Sequence, residues 1–160
     1  MRLRKLITVL LTSMLLLTLS SSVFASEITP TAIGIGDTRD DAISLIFANG
    51  SNRAEYSLFL QNNSDQDWFK WTNTTDKTRF VRIESLSEDR SITNRLGIQY
   101  DYNNGYLSTL MYADTSGISS GHIMNIVPVP PGATIYMVVD APTLYGVQQY
   151  KLFFYDFGSL

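Results

Sequence analysis

The sequence predicts an all-β protein, a jelly-roll-like antiparallel β-sandwich of about eight to nine strands that is preceded by a signal peptide. Short runs of β-branched and aromatic residues alternate with clusters of Gly, Asn, Asp and Pro, which is the pattern typical of a sandwich. No helical period persists along the chain after its N-terminal apolar stretch. That stretch, which follows a basic start, indicates an exported protein.

The N-terminus has the features of a cleavable signal peptide. Arg2, Arg4 and Lys5 precede the leucine-rich stretch Leu6–Leu19, and the motif VFA ends at Ala25. The stretch contains Thr and Ser and is short for a membrane span, which needs about 20 apolar residues, so an uncleaved anchor is disfavoured. We therefore expect a signal peptide over 1–25, a lead-in arm over 26–41 and one sandwich domain over 42–160.

Composition restricts the partners of the mature chain. Cleavage after Ala25 leaves 9 Lys and Arg against 15 Asp and Glu, a net charge of −6. The basic residues are scattered among carboxylates, which argues against a nucleic-acid partner. The chain has no cysteine, so it has neither disulfides nor a lipid-modified thiol. No later apolar run approaches membrane-spanning length, so we expect a secreted, extracellular protein without membrane attachment.

Alternation with period 2 defines the strands and their inward faces. It places Phe69 and Trp71 together in the core, and it leaves the opposite faces, at Trp68 for example, half covered. The three other predicted core rows are Leu96, Ile98 and Tyr100; Ile135, Met137 and Val139; and Tyr150, Leu152 and Phe154. The predicted strands are Ala42–Phe47, Ala54–Leu60, Gln66–Thr72, Thr78–Ser85, Arg95–Tyr102, Leu107–Ala113, Gly121–Val127, Thr134–Asp140 and Gln148–Tyr155.

Two turns support this strand assignment. Asn104 and Gly105 are suited to the two positive-φ positions of a tight hairpin after the strand that begins at Arg95. Pro131 and Gly132 fit the central positions of a type II turn, so a strand should begin directly after it.

Four segments, taken in order, give a family resemblance. They are GDTRDDAISL from Gly36, SDQDWFKWT from Ser64, RLGIQYDYNNG from Arg95, and VPPGATIYMVV from Val129 leading to YKLFFY. This ordered set resembles the bacterial pre-peptidase C-terminal domain family, a secreted β-sandwich module carried on exported peptidases and other enzymes. The resemblance implies a non-catalytic accessory module. It also implies that the acidic opening segment folds back beside the strand Gln66–Thr72.

The acidic residues around these segments indicate a candidate calcium site. Ca²⁺ takes six to eight oxygen ligands, mostly from carboxylates, carbonyls and water. If the opening segment folds back as the resemblance implies, Asp37 or Asp40 meets Asp65 or Asp67. The alternative is that these carboxylates are solvated turn caps. Ca²⁺ is the only cofactor for which the sequence offers candidate ligands.

No catalytic constellation is evident, and we expect the protein not to be an enzyme. His122 is the only histidine, and Ser119 and Ser120 are too near it in sequence to form a triad with it by themselves. The pairs Asp40–Asp41 and Asp65–Asp67 have the residue types of a glycosidase, but adjacent carboxylates in turns are usually solvated.

Exposed aromatic residues are the remaining functional signal. Tyr102, Tyr106, Tyr112 and Tyr145 fall in loops or at strand edges, where tyrosine rings can stack on sugars or on extended polypeptide. We therefore predict a non-enzymatic module that binds an extracellular polymer, either matrix protein or polysaccharide. The alternative is a structural or export-accessory domain, with no ligand of its own, that pairs with a secreted enzyme.

Overall fold

The computed structural model describes residues 35–88, 94–114 and 121–159. Within these ranges the regular structure is entirely β, and no helix is long and apolar enough to span a membrane. The predicted signal peptide and most of the predicted lead-in arm lie outside the described residues. The strands are β1 (Ile43–Ser44), β2 (Arg53–Leu60), β3 (Gln66–Thr72), β4 (Arg79–Ser87), β5 (Arg95–Asp101), β6 (Met111–Tyr112), β7 (Gly121–Val129), β8 (Thr134–Asp140) and β9 (Gln148–Asp156).

The strands form two sheets packed around one apolar core. The five-stranded sheet has the order β1-β3-β8-β5-β6, and the four-stranded sheet has the order β2-β9-β4-β7. All neighbouring strands are antiparallel except β1 and β3, which are parallel. The predicted all-β sandwich is confirmed.

Two strands are much shorter than predicted, and side chains explain both cases. β1 ends early because the chain leaves β3 after Leu45, and the hydroxyl of Tyr56 on the other sheet then accepts a hydrogen bond from Ile46 N at 2.8 Å. β6 is short because the hydroxyl of Ser108 accepts the hydrogen bond from Tyr100 N at 2.9 Å, which a backbone carbonyl would otherwise accept. β3 and β8 coincide with the prediction residue for residue.

The inward rows are those that the alternation predicts. All the residues of the three predicted rows on β5, β8 and β9 are buried, and Phe69 on β3 lies among them with no exposed surface. Trp71 is half-buried and packs against the same core. Phe69 and Trp71 of β3 therefore point inward, as predicted.

The outer face of the five-stranded sheet is more covered than predicted. Trp68 and Val138 are buried there in a second, smaller cluster, covered by Ala42 and Leu110. Gly97 allows Leu110 to approach closely, because a Cβ at that position would lie 3.1 Å from Cδ1 of Leu110. The loop residue Leu110, just before the short β6, thus covers this outer face.

The two predicted turns have different outcomes. Gly132 has φ +74° and Ala133 N donates to Pro130 O at 3.2 Å, which confirms the turn before β8. The hairpin prediction was wrong in detail, because its positive-φ residues are Asn103 and Gly105. Asp101 explains the shift, since its Oδ1 accepts a hydrogen bond from Asn103 N at 2.8 Å and fixes a longer loop.

We predict that Phe69→Ala lowers the free energy of unfolding by about 3–5 kcal/mol, because it leaves a cavity in the fully buried core. Phe157→Ala is the matched control: that ring is 52% exposed, and its truncation should cost less than about 1 kcal/mol. Denaturant titration of both variants measures the difference. Equal losses would contradict the inward assignment of the β3 row.

Candidate functional site

Three of the four predicted calcium ligands lie together at the start of β3. One carboxylate oxygen from each of Asp37, Asp65 and Asp67 lies within 4.8 Å of the others, and we call this group the acidic corner. The corner forms because Trp68 N donates to Gly36 O at 2.7 Å, which ties the segment before β1 to β3. Gly36 suits this approach, since it has φ +83° and a Cβ there would lie 3.0 Å from the Trp68 carbonyl oxygen.

Asp67 is the buried member of the acidic corner. Its side chain faces the core, and its Oδ2 accepts a hydrogen bond of 2.6 Å from the hydroxyl of Tyr150 on the opposite sheet. Burial raises the pKa of Asp67 to about 7; the Tyr150 hydrogen bond acts in the opposite direction, and the carboxylates of Asp65 and Asp37 add to the rise. Burial and the adjacent Asp67 also raise the pKa of Tyr150 well above its usual value.

The other two carboxylates are more accessible. Asp65 is half-buried, and its Oδ2 accepts a hydrogen bond of 2.7 Å from Gln61 N. Asp37 is exposed. The three carboxylates thus range from buried to exposed. Such a set of oxygen ligands suits a hard cation such as Ca²⁺, whose remaining ligands would be water or backbone carbonyls.

Asp40 lies outside the acidic corner, so of the two predicted alternatives, Asp37 and Asp40, only Asp37 meets Asp65 and Asp67. The chain turns at this point, because Asp41 N donates to Thr38 O at 3.1 Å and Ala42 N donates to Arg39 O at 3.2 Å. This turn leaves Asp40 in solvent, with its Oδ1 3.8 Å from a guanidinium nitrogen of Arg39.

Two of the four predicted binding tyrosines form a row of rings together with a tyrosine of the core. Tyr102 and Tyr106 lie in the hairpin after β5 with ring centroids 5.6 Å apart and an interplanar angle of 38°. Tyr100 extends the row, at 5.7 Å and 19° from Tyr102. Tyr100 is buried and donates its hydroxyl to Pro128 O at 3.0 Å, so it anchors the row, which we call the tyrosine stack.

The other two predicted tyrosines lie elsewhere. Tyr112 sits against the guanidinium of Arg95, 4.3 Å from the ring centroid, and its hydroxyl donates to Asp140 Oδ2 at 3.0 Å. Burial and the nearby Asp140 raise its pKa. Tyr145 follows β8 at the end of the sandwich opposite the hairpin, since β8 pairs Asp140 with the first residue of β5. Both residues are exposed, as predicted, but they lie apart from the tyrosine stack.

A second aromatic surface, on the outer face of the four-stranded sheet, was missed by the sequence analysis. Phe153, Tyr155 and Phe157 stack in succession along β9 and just beyond it. Arg53 lies over the first two rings at 4.6 and 5.5 Å, and Arg82 lies 5.8 Å from Tyr155. We call these five residues the outer stripe. The alternation of rings on β9 was visible in the sequence, but the pairing of β9 between β2 and β4, which supplies the arginines, was not.

His122 occupies a buried position on β7. The residue is 2% exposed, and neither ring nitrogen makes a hydrogen bond within the described part of the chain. Ser119 and Ser120 lie outside the described residues. An imidazole at this depth is not placed to act on a substrate that arrives from solvent.

No protein-family model and no curated protein sequence matches the chain. Among solved structures, the pre-peptidase C-terminal domain of a collagenase from Bacillus anthracis superposes with a TM-score of 0.50, at 15% identity over 69% of this chain and 91% of that one. The chain shares the fold of that domain. The fold predicted from the family resemblance is therefore confirmed, and this degree of likeness extends to the fold alone.

Two further structures are similar at lower scores. The Yersinia pseudotuberculosis-derived mitogen matches with a TM-score of 0.42 at 13% identity, over 66% of this chain and 86% of that one. The module TmCBM61, solved with β-1,4-galactotriose, matches with a TM-score of 0.39 at 14% identity, over 72% of this chain and 81% of that one.

Proposed function

We propose that the protein is a secreted, non-catalytic β-sandwich module that binds Ca²⁺ at the acidic corner and an extracellular polymer, matrix protein or polysaccharide, at the tyrosine stack. The observation that carries this proposal is the pairing of Tyr102 and Tyr106 on the anchored ring of Tyr100. The family resemblance implies an accessory module, and the fold shared with the collagenase domain is consistent with a non-catalytic role.

The tyrosine stack has the properties of a shallow binding surface. Tyr106 is 63% exposed and Tyr102 36%, so both present ring surface to solvent. Their backbones are held by a hydrogen bond of 3.1 Å from Tyr102 N to Tyr106 O. Rigid aromatic rings lose little conformational entropy on binding and offer both an apolar face and a hydroxyl. A surface of this kind suits an extended chain of sugars or of prolines.

Calcium accounts for an arrangement that is otherwise unfavourable. Three carboxylates within 4.8 Å repel one another. Burial, and to a smaller extent Asp65 and Asp37, raise the pKa of Asp67, so its ionised form is unfavourable at this position. A divalent cation would reverse this balance by favouring the ionised form of all three. Asp37 belongs to the segment before β1, so a bound ion would also fasten that segment to β3.

The outer stripe favours a second candidate function, in which the module pairs with a secreted enzyme. Phe157 is half exposed at the end of the stripe, and the arginines over Phe153 and Tyr155 are paired with carboxylates, Arg53 with Glu55 and Arg82 with Glu84. Aromatic rings and arginines are the residue types enriched at protein interfaces. Absence of binding by the unmutated protein to every polymer in the assay below would favour this alternative.

We predict that millimolar Ca²⁺ raises the melting temperature by several degrees relative to chelator. Binding to the native state alone stabilises by about 2.7 kcal/mol at a hundredfold excess over Kd, which corresponds to several degrees for a domain of this size. Asp37→Asn should abolish the shift, because it removes an exposed ligand that makes no other hydrogen bond within the described residues. The thermal melt is followed by circular dichroism.

Asp76→Asn is the matched control for the calcium experiment, because Asp76 is an exposed aspartate outside the acidic corner. It should keep the full Ca²⁺ shift. Matched Mg²⁺ should give a smaller shift, because Mg²⁺ demands near-ideal octahedral geometry and gives up its water reluctantly, whereas simple ionic screening would give equal shifts with the two cations. Coincident melts with Ca²⁺ and chelator would show that the acidic residues are turn caps.

We predict that replacing Tyr102 and Tyr106 together by Ala weakens binding to the polymer at least about tenfold, because loss of two stacking rings removes more than about 1.4 kcal/mol. Co-sedimentation with insoluble collagen, cellulose, chitin and xylan measures binding and identifies the polymer class. Tyr145→Ala is the control, since that side chain is 96% exposed at the other end of the sandwich. If Tyr145→Ala is as defective as the double variant, the stack is not the binding surface.

A further inference from the structure

An open cleft lies at the same end of the sandwich as the tyrosine stack, between the two sheets. It has a volume of about 370 Å³ and is lined by residues from the ends of β3 and β9, the start of β4 and the loop before β2. This volume falls in the range of about 300–1,000 Å³ that is typical of small-molecule sites. None of the predicted binding residues lines it.

The apolar wall of the cleft is held rigidly by the core. Trp71 and Phe47 both line the cleft, and both rest on the ring of Phe154, which has no exposed surface. The centroid of Trp71 lies 5.2 Å from that of Phe154, and the centroid of Phe47 lies 5.9 Å from it. The indole N–H of Trp71 donates to no acceptor within the described residues, so it remains available to a ligand.

The charged wall of the cleft is electrically balanced. Arg79 donates two hydrogen bonds to Asp156, from Nε to Oδ1 at 3.0 Å and from a terminal nitrogen to Oδ2 at 2.6 Å. Both side chains are mostly buried, so this bidentate pair persists as a unit. A phosphate or carboxylate ligand would have to compete with Asp156 for the guanidinium. The cleft therefore favours a neutral ligand over an anionic one.

Polar groups without partners complete the lining. The side chains of Asn52 and Thr74 are exposed in the cleft and make no hydrogen bond within the described part of the chain. By contrast, the hydroxyl of Thr75 is committed, since it donates to Asn73 Oδ1 at 2.7 Å. An amide and a hydroxyl together offer both donors and acceptors, which is what the hydroxyl groups of a sugar require.

We propose that this cleft binds one neutral sugar ring, with an apolar face of the ring against Trp71 and its hydroxyl groups directed to Asn52, Thr74 and the Arg79–Asp156 pair. The fixed aromatic wall favours a ligand with one flat apolar face, and the unpartnered polar groups favour a ligand with hydroxyl groups. Because the ion pair is balanced, the ligand should be uncharged. The inference deepens the proposed function and rests on it, because it names polysaccharide as the polymer and the cleft as a subsite for one unit.

The chain offers an internal control, because it has only two tryptophans. The indole N–H of Trp68 donates to Gln66 Oε1 at 3.3 Å on the outer face of the sheet, away from the cleft. In a ¹⁵N-labelled sample each indole gives one N–H signal, assigned with Trp68→Phe and Trp71→Phe. The probes are glucose, galactose, mannose and N-acetylglucosamine, with galacturonate and glucose 6-phosphate as charged counterparts.

We expect at least one neutral sugar to shift the Trp71 indole signal saturably while the Trp68 signal stays in place. The expected Kd is about 1 mM, so titration with sugar to about 10 mM is sufficient. Asn52→Ala and Thr74→Ala should each weaken this binding about threefold to tenfold. Asn63→Ala and Thr109→Ala, matched exposed residues outside the cleft, should leave it unchanged.

Two results would overturn the proposal. The first is the absence of a saturable Trp71 shift with every neutral probe, and the second is binding of galacturonate or glucose 6-phosphate as tight as that of its neutral counterpart. Variants of Tyr102 and Tyr106 should keep the Trp71 shift, since those rings do not line the cleft. Failure of the tyrosine stack and failure of the cleft are therefore distinguishable.

Discussion

The hydrogen bond from Tyr150 to Asp67 joins the two sheets where the core would otherwise be apolar. The inward row of β3 is Asp67, Phe69 and Trp71, so a carboxylate occupies a position that alternation reserves for the core. Burying a carboxylate is unfavourable unless it is paired or neutralised. The Tyr150 hydroxyl supplies part of that compensation, and a cation at the acidic corner would supply the rest. The packing of the sheets and the chemistry of the corner thus depend on the same carboxylate group.

β3 also connects the two ends of the molecule. Asp67, its second residue, belongs to the acidic corner. Trp71, near the other end of the strand, lines the cleft at the end of the sandwich where the hairpin carries the tyrosine stack. Phe69, fully buried between them, fixes the strand in the core. Stabilising the corner would therefore hold in place the strand that presents Trp71, without any rearrangement of the binding end. In this account the metal is structural and the ligand surfaces are preformed.

Local patterns predicted most of the fold, because period-2 alternation and turn chemistry depend on neighbouring residues. The core rows and the Pro131–Gly132 turn are of this kind. The acidic corner was predicted in large part, since Asp65 and Asp67 are close in sequence and the family resemblance supplied the approach of Asp37. The features that the sequence did not indicate depend on long-range contacts or on specific side chains: the turn that exposes Asp40, the Arg95–Asp140 ion pair beside Tyr112, and the cleft. The cleft brings Phe47, Trp71 and Asp156 together from distant parts of the sequence, and no local pattern indicates that they meet.

The claim that a cation compensates the buried carboxylate is tested most directly by a crystal structure of the mature protein grown with Ca²⁺. The account predicts one ion at the acidic corner, about 2.3–2.6 Å from an oxygen atom of each of Asp37, Asp65 and Asp67, with water or carbonyl oxygens completing six to eight ligands. Tyr150 should still donate to Asp67 in that structure. The contradicting result is a well-ordered corner without an ion, in which the three carboxylates hold only water.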